Sequence, residues 1–223
     1  MERHFQDELQ QLKNRLLTMG GLVEERVHAA IVALIERRAV TAERTIAGDR
    51  EINDLQIEID ECCLKLLALQ QPMAVDLRLI AAAMKINTDL ERIGDQAVNI
   101  AQNTMRLIEK PPLKPLIDIP RMAAVAEEMI RDSLDAFVRR DAALARKVLT
   151  RDDEVDAMKD HIFRVLLTYM MADPGTIERA LALILVSRNL ERIADHATNI
   201  AEDVIFMVEA RDVRHHHEEA SAS

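Results

Sequence analysis

Apolar residues recur at helical spacing along almost the whole chain. Leu9, Leu12, Leu16, Met19, Val23, Val27, Ile31 and Leu34 line one side of a helix over residues 3–39. Thr41 can cap a second helix running to about Gln70, with Ile46, Ile52, Leu55, Ile59, Leu66 and Leu69 facing inward. Pro72 stands where a third helix begins, and that helix runs to about Glu109. Pro111-Pro112-Leu113-Lys114-Pro115 then stops the pattern and marks a boundary. Beyond it the spacing predicts helices from about Pro120 to Arg139, from Asp141 to Met171, and from Asp173-Pro174 to about Arg211. Gly20-Gly21 lies inside the first helix, where each glycine costs about 1 kcal/mol against alanine. The pair predicts close packing or a bend there.

The second half repeats the first. Leu90-Glu91-Arg92-Ile93-Gly94-Asp95-Gln96-Ala97-Val98-Asn99-Ile100-Ala101 returns as Leu190-Glu191-Arg192-Ile193-Ala194-Asp195-His196-Ala197-Thr198-Asn199-Ile200-Ala201. The offset is 100, and nine of the twelve positions are identical. Weaker matches join Met19–Val27 to Met122–Ile130, Asp49–Asn53 to Asp152–Asp156, and Pro72 to Pro174. The expected architecture is therefore all-α, two tandem three-helix bundles with six long helices. The first bundle spans 1–110 and the second 116–213. A polar tail, 214–223, is expected to be disordered. Its His215-His216-His217 is read as a solvated run rather than a metal site.

The repeated segment places chemistry on one side of a helix. Leu90, Ile93, Ala97 and Ile100 form the apolar face. Glu91 and Asp95 project together four residues apart, with Asn99 one turn further, and Glu191, Asp195 and Asn199 repeat them. Two carboxylates at this spacing repel and weaken a bare helix by a few tenths of a kcal/mol. A hard cation reverses that sign, and carboxylate and amide oxygens suit Mg²⁺, Ca²⁺, Mn²⁺ or iron. One helix offers too few ligands, so a second must contribute. Asp49 with Asn53, and Asp152 with Asp156, carry the same pattern on the middle helices. If each middle helix runs antiparallel beside its third helix, the stripes meet as one cluster per half. A solvated acidic face is the competing reading, with Arg92 and Arg192 neutralising their neighbours. The return of the pattern with its surroundings intact sets the metal reading beside it.

Composition narrows the function. Aromatics make up only 2% and glycine and proline are scarce, which favours long helices over sheet. A formal net charge of −10 excludes general affinity for nucleic acid phosphates. The polar N-terminus, Met1 to Glu8, has no apolar core of a secretory signal. The longest strongly apolar run, Ala180 to Val186, falls far short of the roughly 20 residues that span a bilayer. A soluble, cytoplasmic protein is expected, touching membranes only through partners. Cys62 and Cys63 are adjacent and are read as reduced core thiols. No Walker loop or G-x-S-x-G elbow occurs. His28, His161 and His196 are scattered, and His196 beside the second stripe is read as a surface histidine.

In these motifs the chain resembles the PhoU family of phosphate-transport regulators. The resemblance rests on Leu90 to Asp95, Leu190 to Asp195, Met19 to Val23, Asp60-Glu61-Cys62, Pro72 and Asp76 to Leu79, Leu167 to Met171, and Asn199 to Glu202, and covers residues 1–212. It implies two three-helix bundles and multinuclear clusters of iron, zinc, magnesium or manganese at Glu91 and Asp95, Glu191 and Asp195, Asp49 with Asn53, and Asp152 with Asp156. Asn53 departs from an acidic residue and lowers the charge of the first site. The resemblance also implies a homodimeric adaptor between the ATPase subunit of a phosphate ABC transporter and a sensor histidine kinase, negative when phosphate is plentiful, with no catalytic activity. A metal-dependent phosphohydrolase using the same carboxylates is the alternative. A helical scaffold without metal is the plainest third.

Overall fold

The computed structural model describes residues 2–70 and 72–213. Six long helices dominate: α1 (Glu2–Glu36), α3 (Asp49–Gln70), α4 (Ala74–Ile108), α5 (Asp118–Arg139), α7 (Asp152–Ala172) and α8 (Ile177–Glu209). Two short helices, α2 (Ala39–Ala47) and α6 (Ala142–Leu149), and a 3-10 turn, Pro174–Thr176, complete the order. The halves repeat helix for helix, and the 3-10 turn occurs in the second alone among the described residues. The fold class is as expected, and the histidine run at 215–217 lies outside the described residues.

Each middle helix is broken, which the periodicity did not predict. Gly48 ends α2 by donating its N–H to Arg44 O at 3.0 Å, and Asp49 starts α3 at once. In the second half Thr150 and Arg151 make the break, with Thr150 Oγ1 bonded to Lys147 O at 2.9 Å. The apolar spacing continues across both breaks, so periodicity alone hides them. The start of the middle segment also differs. Thr41 is no cap, because α2 begins at Ala39, and Arg38 caps it without a side-chain bond. Arg37 and Arg140 end α1 and α5 in the left-handed region, at φ 54° and 53°. The following N–H groups reach back to Ala33 O at 3.0 Å and Ala136 O at 2.9 Å, which closes the helix ends.

Pro72 lies just outside α4, whose cap is Met73. Asp173 accepts from Gly175 N–H at 2.8 Å and opens the turn before α8, as its spacing predicts. Leu69 is 67% exposed instead of inward, because α3 outruns its packing at that end.

The apolar faces of both halves merge into one core. Leu12, Leu16, Met19, Ile86, Leu90, Ile93, Leu190 and Ile193 are fully buried within it. Gly20 permits a close approach between the halves: a Cβ there would stand 2.5 Å from Leu134 Cδ1 on α5. Gly21 meets nothing, so the glycine pair works through its first member. Gly94 lies where a Cβ would meet Ile52 Cδ1 at 3.0 Å. In the repeat Ala194 replaces Gly94 and Val155 replaces Ile52, so a methyl moves from one partner to the other and volume is conserved. Among the described residues no helix is long and apolar enough to cross a membrane.

Candidate metal centre

The hairpins α3–α4 and α7–α8 bring the predicted stripes side by side. Asn87 on α4 donates to Asp60 Oδ1 on α3 at 2.9 Å, which sets an antiparallel register. That register carries Asp49 and Asn53 toward Glu91 and Asp95. Asn53 donates to Asp49 Oδ2 at 2.9 Å. Burial raises the Glu91 carboxyl above its ordinary range, aided by the like charges of Asp95 and Asp49. Arg92 offsets part of this, 3.4 Å from Asp95 and 3.5 Å from Glu91.

In the second half Lys159 on α7 reaches Glu191 Oε1 on α8 at 3.1 Å and Asp156 Oδ1 at 2.7 Å. Asp152 stands at the first position of α7, and burial together with Asp156 pushes its carboxyl up despite a bond from Thr198 at 3.5 Å. Among the carboxyls Asp195 is the most perturbed: loss of water, then Glu191, Asp152 and Asp156, lift it from 3.8 to about 6. The side chain keeps contact with solvent, so screening discounts what that shift is worth. Three carboxyls are raised by loss of water first and by neighbours of like charge second, so carboxylates crowd together at partly desolvated places.

The breaks at Gly48 and Thr150 now gain a purpose. They turn Asp49 and Asp152 into first-turn residues, where the positive end of a helix dipole holds carboxylates in place. A sequence signal existed: Gly48 before Asp49, and Thr150-Arg151 before Asp152-Asp153-Glu154, are the signature of a helix start.

Two participants were not predicted. Lys159 places its ammonium between Asp156 and Glu191, and its spacing from Asp156 was the clue. Asp89 accepts from His196 Nδ1 at 2.8 Å and from Asn199 Nδ2 at 3.2 Å, linking the halves. His196 is therefore half-buried at the α4–α8 junction and not a free surface residue. Asn199 turns to Asp89 and leaves the stripe it was predicted to extend, whereas Asn99 stays half-buried on α4.

The donor set is all oxygen and suits a hard divalent cation or iron. Among the described residues, no three of His, Cys, Asp and Glu converge to hold a metal ion. Lys159 and Arg92 pair with these carboxylates on their flexible side chains. Cys63 plays no part: burial pushes its thiol up to about 12, which leaves it unreactive.

Comparison with known proteins agrees with this duplicated plan. The family described as the PhoU domain matches residues 16–104 and again 119–204. A phosphate-specific transport system accessory protein PhoU homolog of Pseudomonas putida is 43% identical over 216 residues, covering 96% of this chain and 84% of its own. The homolog of Aquifex aeolicus is 43% identical over 210 residues, covering 94% and 95%. A crystal structure of PhoU from Pseudomonas aeruginosa matches with TM-score 0.90 at 42% identity, over 93% of this chain and 100% of that one. The phosphate transport system regulatory protein PhoU of Streptococcus pneumoniae matches with TM-score 0.87 at 28% identity, over 94% and 99%.

Proposed function

The chain belongs to the PhoU family, and from that premise we infer that it regulates phosphate uptake and phosphate-starvation signalling as a metal-binding adaptor. In this reading it works in the cytoplasm as a homodimer. It links the ATPase subunit of a phosphate ABC transporter to a sensor histidine kinase, and holds the kinase off when phosphate is plentiful. It acts by binding and not by turnover, in keeping with relatives named as accessory and regulatory proteins.

One observation carries the metal part: the duplicated carboxylates lie beside each other on paired helices, with Glu91, Asp152 and Asp195 all raised by burial first and by neighbouring carboxylates second. A bound cation would supply the missing charge and draw α3 to α4 and α7 to α8. Signalling then follows if metal-loaded and metal-free arrangements differ in affinity for a partner. Apolar side chains at the hairpin tips support the adaptor part. Leu69, Met73 and Val75 at one tip, and Met171 and Ile177 at the other, are exposed. Such patches suit protein contacts.

A host lacking this chain should express its phosphate-starvation genes in phosphate-rich medium, and the intact chain should restore repression. Normal repression without the chain would contradict the regulatory reading. At the metal site, Lys159→Gln removes the ammonium that a cation must displace. It should cost the metal-free chain up to about 1 kcal/mol while tightening Mn²⁺ binding roughly tenfold. Urea unfolding checks the first and calorimetric titration the second, and weaker Mn²⁺ binding in the variant would remove Lys159 from the account.

A further inference from the structure

Each half ties its broken middle helix to its first helix with one arginine, and the two arginines come from opposite sides. In the first half Arg26 on α1 lays its guanidinium against the break at Gly48. Nη1 donates to Arg44 O at 3.2 Å and Nη2 to Glu51 Oε2 at 3.1 Å. One side chain thus joins α1, the end of α2 and the first turn of α3. A Cβ at Gly48 would fall inside that guanidinium. The glycine makes room for the arginine; its own φ of −78° is open to any residue.

The offset of 103 that carries Met19 onto Met122 and Asp49 onto Asp152 also carries Arg26 onto Met129 and Gly48 onto Arg151. The arginine has changed places. Arg151 stands at the break itself and reaches back to α5, 2.7 Å from Glu128 and 4.0 Å from Asp132. Both side chains are mostly buried, at 20% and 26% exposure. Two different sequences therefore put a guanidinium between the first helix and the break. The start of a helix repels a cation, so the dipole of α3 does not explain it. The end of α2 does: Arg44 O, which also takes the Gly48 N–H at 3.0 Å, belongs to a last turn short of donors. Glu51 balances the charge on the side of α3.

What these contacts fix is where α3 and α7 begin. The N–H groups of Glu51 and Glu154 are held by Gly48 O and Arg151 O at 3.2 and 3.1 Å, which closes each first turn. Asp49 and Asp152 open those turns, and their charges are felt by Glu91 and Asp195 across the hairpins. A first turn that frays lets its aspartate drift, and a ligand held more loosely than about 0.5 Å loses its productive geometry. We propose that Arg26 and Arg151 are positioning residues for the two metal centres, acting through the breaks to hold Asp49 beside Glu91 and Asp152 beside Asp195. The role rests on the metal reading above. The partners of the arginines, Glu51, Glu128 and Asp132, stand outside the clusters.

Titration of Mn²⁺ into the full chain tests it, with the first centre isolated by Glu191→Ala/Asp195→Ala. In that background Arg26→Met should weaken Mn²⁺ roughly tenfold, the usual scale for residues that orient a metal's ligands. Gly48→Ala should do the same, because its methyl expels the guanidinium, and both changes together should do no more than either. Arg26→Met/Gly48→Arg rebuilds the first half on the plan of the second, with Glu25 at the place of Glu128, and should restore binding. Arg15→Met removes the other α1–α3 pair, with Glu58, about three turns from Arg26, and should leave Mn²⁺ binding unchanged. With Glu91→Ala/Asp95→Ala as background, Arg151→Met should weaken the second centre by a similar factor. Amide exchange in chelator reads the contact without metal: the Glu51 N–H should exchange faster in Arg26→Met and in Gly48→Ala. Unchanged Mn²⁺ affinity in those two variants, an equal loss in Arg15→Met, or losses that add in the double variant would each overturn the role. A parent chain that binds no Mn²⁺ would sink the metal reading and this role with it, so the parent tells the two failures apart.

Discussion

Replacing Glu191 and Asp195 together by alanine should make the metal-free chain more stable at pH 7 and abolish its stabilisation by metal. The two halves of this expectation have opposite signs, which separates it from simple damage. Asp195 titrates near 6 in the folded chain instead of 3.8. Between those values the folded state holds a proton that the unfolded chain has released. Acidification through that window therefore stabilises the metal-free fold, and rising pH removes the gain. Glu91 and Asp152 are raised too and act in the same direction. Asp118 and Glu209 are held low by Lys114 and Arg146 and act in the opposite one. The difference between parent and variant isolates the cluster. Asp195 touches solvent, so screening leaves about 1 kcal/mol of the nominal shift. In the presence of metal at 100 times its dissociation constant, the parent should gain about 2.7 kcal/mol. At roughly 2–4 °C per kcal/mol for a chain of this size, that is a thermal shift of about 5–10 °C. Melting curves at pH 5 and 7, with and without Mn²⁺, check both signs. A variant that melts lower than the parent in chelator would show that the carboxylates are structural partners.

Leu190→Ala should produce the largest loss of stability. Leu190 is fully buried on α8, in the core shared by both halves. Truncation removes the transfer energy of the side chain and leaves a cavity, together about 2–5 kcal/mol. Unfolding in urea should show that loss with an unchanged slope. Because the core is continuous, both halves should unfold in one transition. A biphasic curve, with one half melting alone, would contradict that continuity. Leu90→Ala should match it, since Leu90 is equally buried at the equivalent place on α4.

Much of this was legible in the sequence, for a physical reason. Helical spacing reports which face is buried, and a duplicated plan reports it twice. The α3–α4 and α7–α8 pairings followed from the short connections at Pro72 and Pro174, so the meeting of Asp49 with Glu91, and of Asp152 with Asp195, could be expected. The breaks at Gly48 and Thr150 escaped because apolar spacing continues across them, although the acidic residues after each break marked a helix start. Thr41 misled for a related reason. A threonine before an apolar run suits a cap, but after the left-handed turn at Arg37 the helix begins three residues earlier, with Arg38 as its cap. Lys159 and Asp89 were missed because their roles depend on which helices face each other. The α4–α8 junction joins residues about 100 positions apart, and no local pattern announces it.

The most direct measurement is elemental analysis of the full chain after loading and desalting, beside Glu91→Ala/Asp95→Ala and Glu191→Ala/Asp195→Ala. The parent should retain divalent metal or iron, each paired variant should lose the share held by its own half, and all four changes together should leave none. Equal metal content in the parent and in the fourfold variant would contradict the account, because the cations would then be held somewhere other than on the paired stripes.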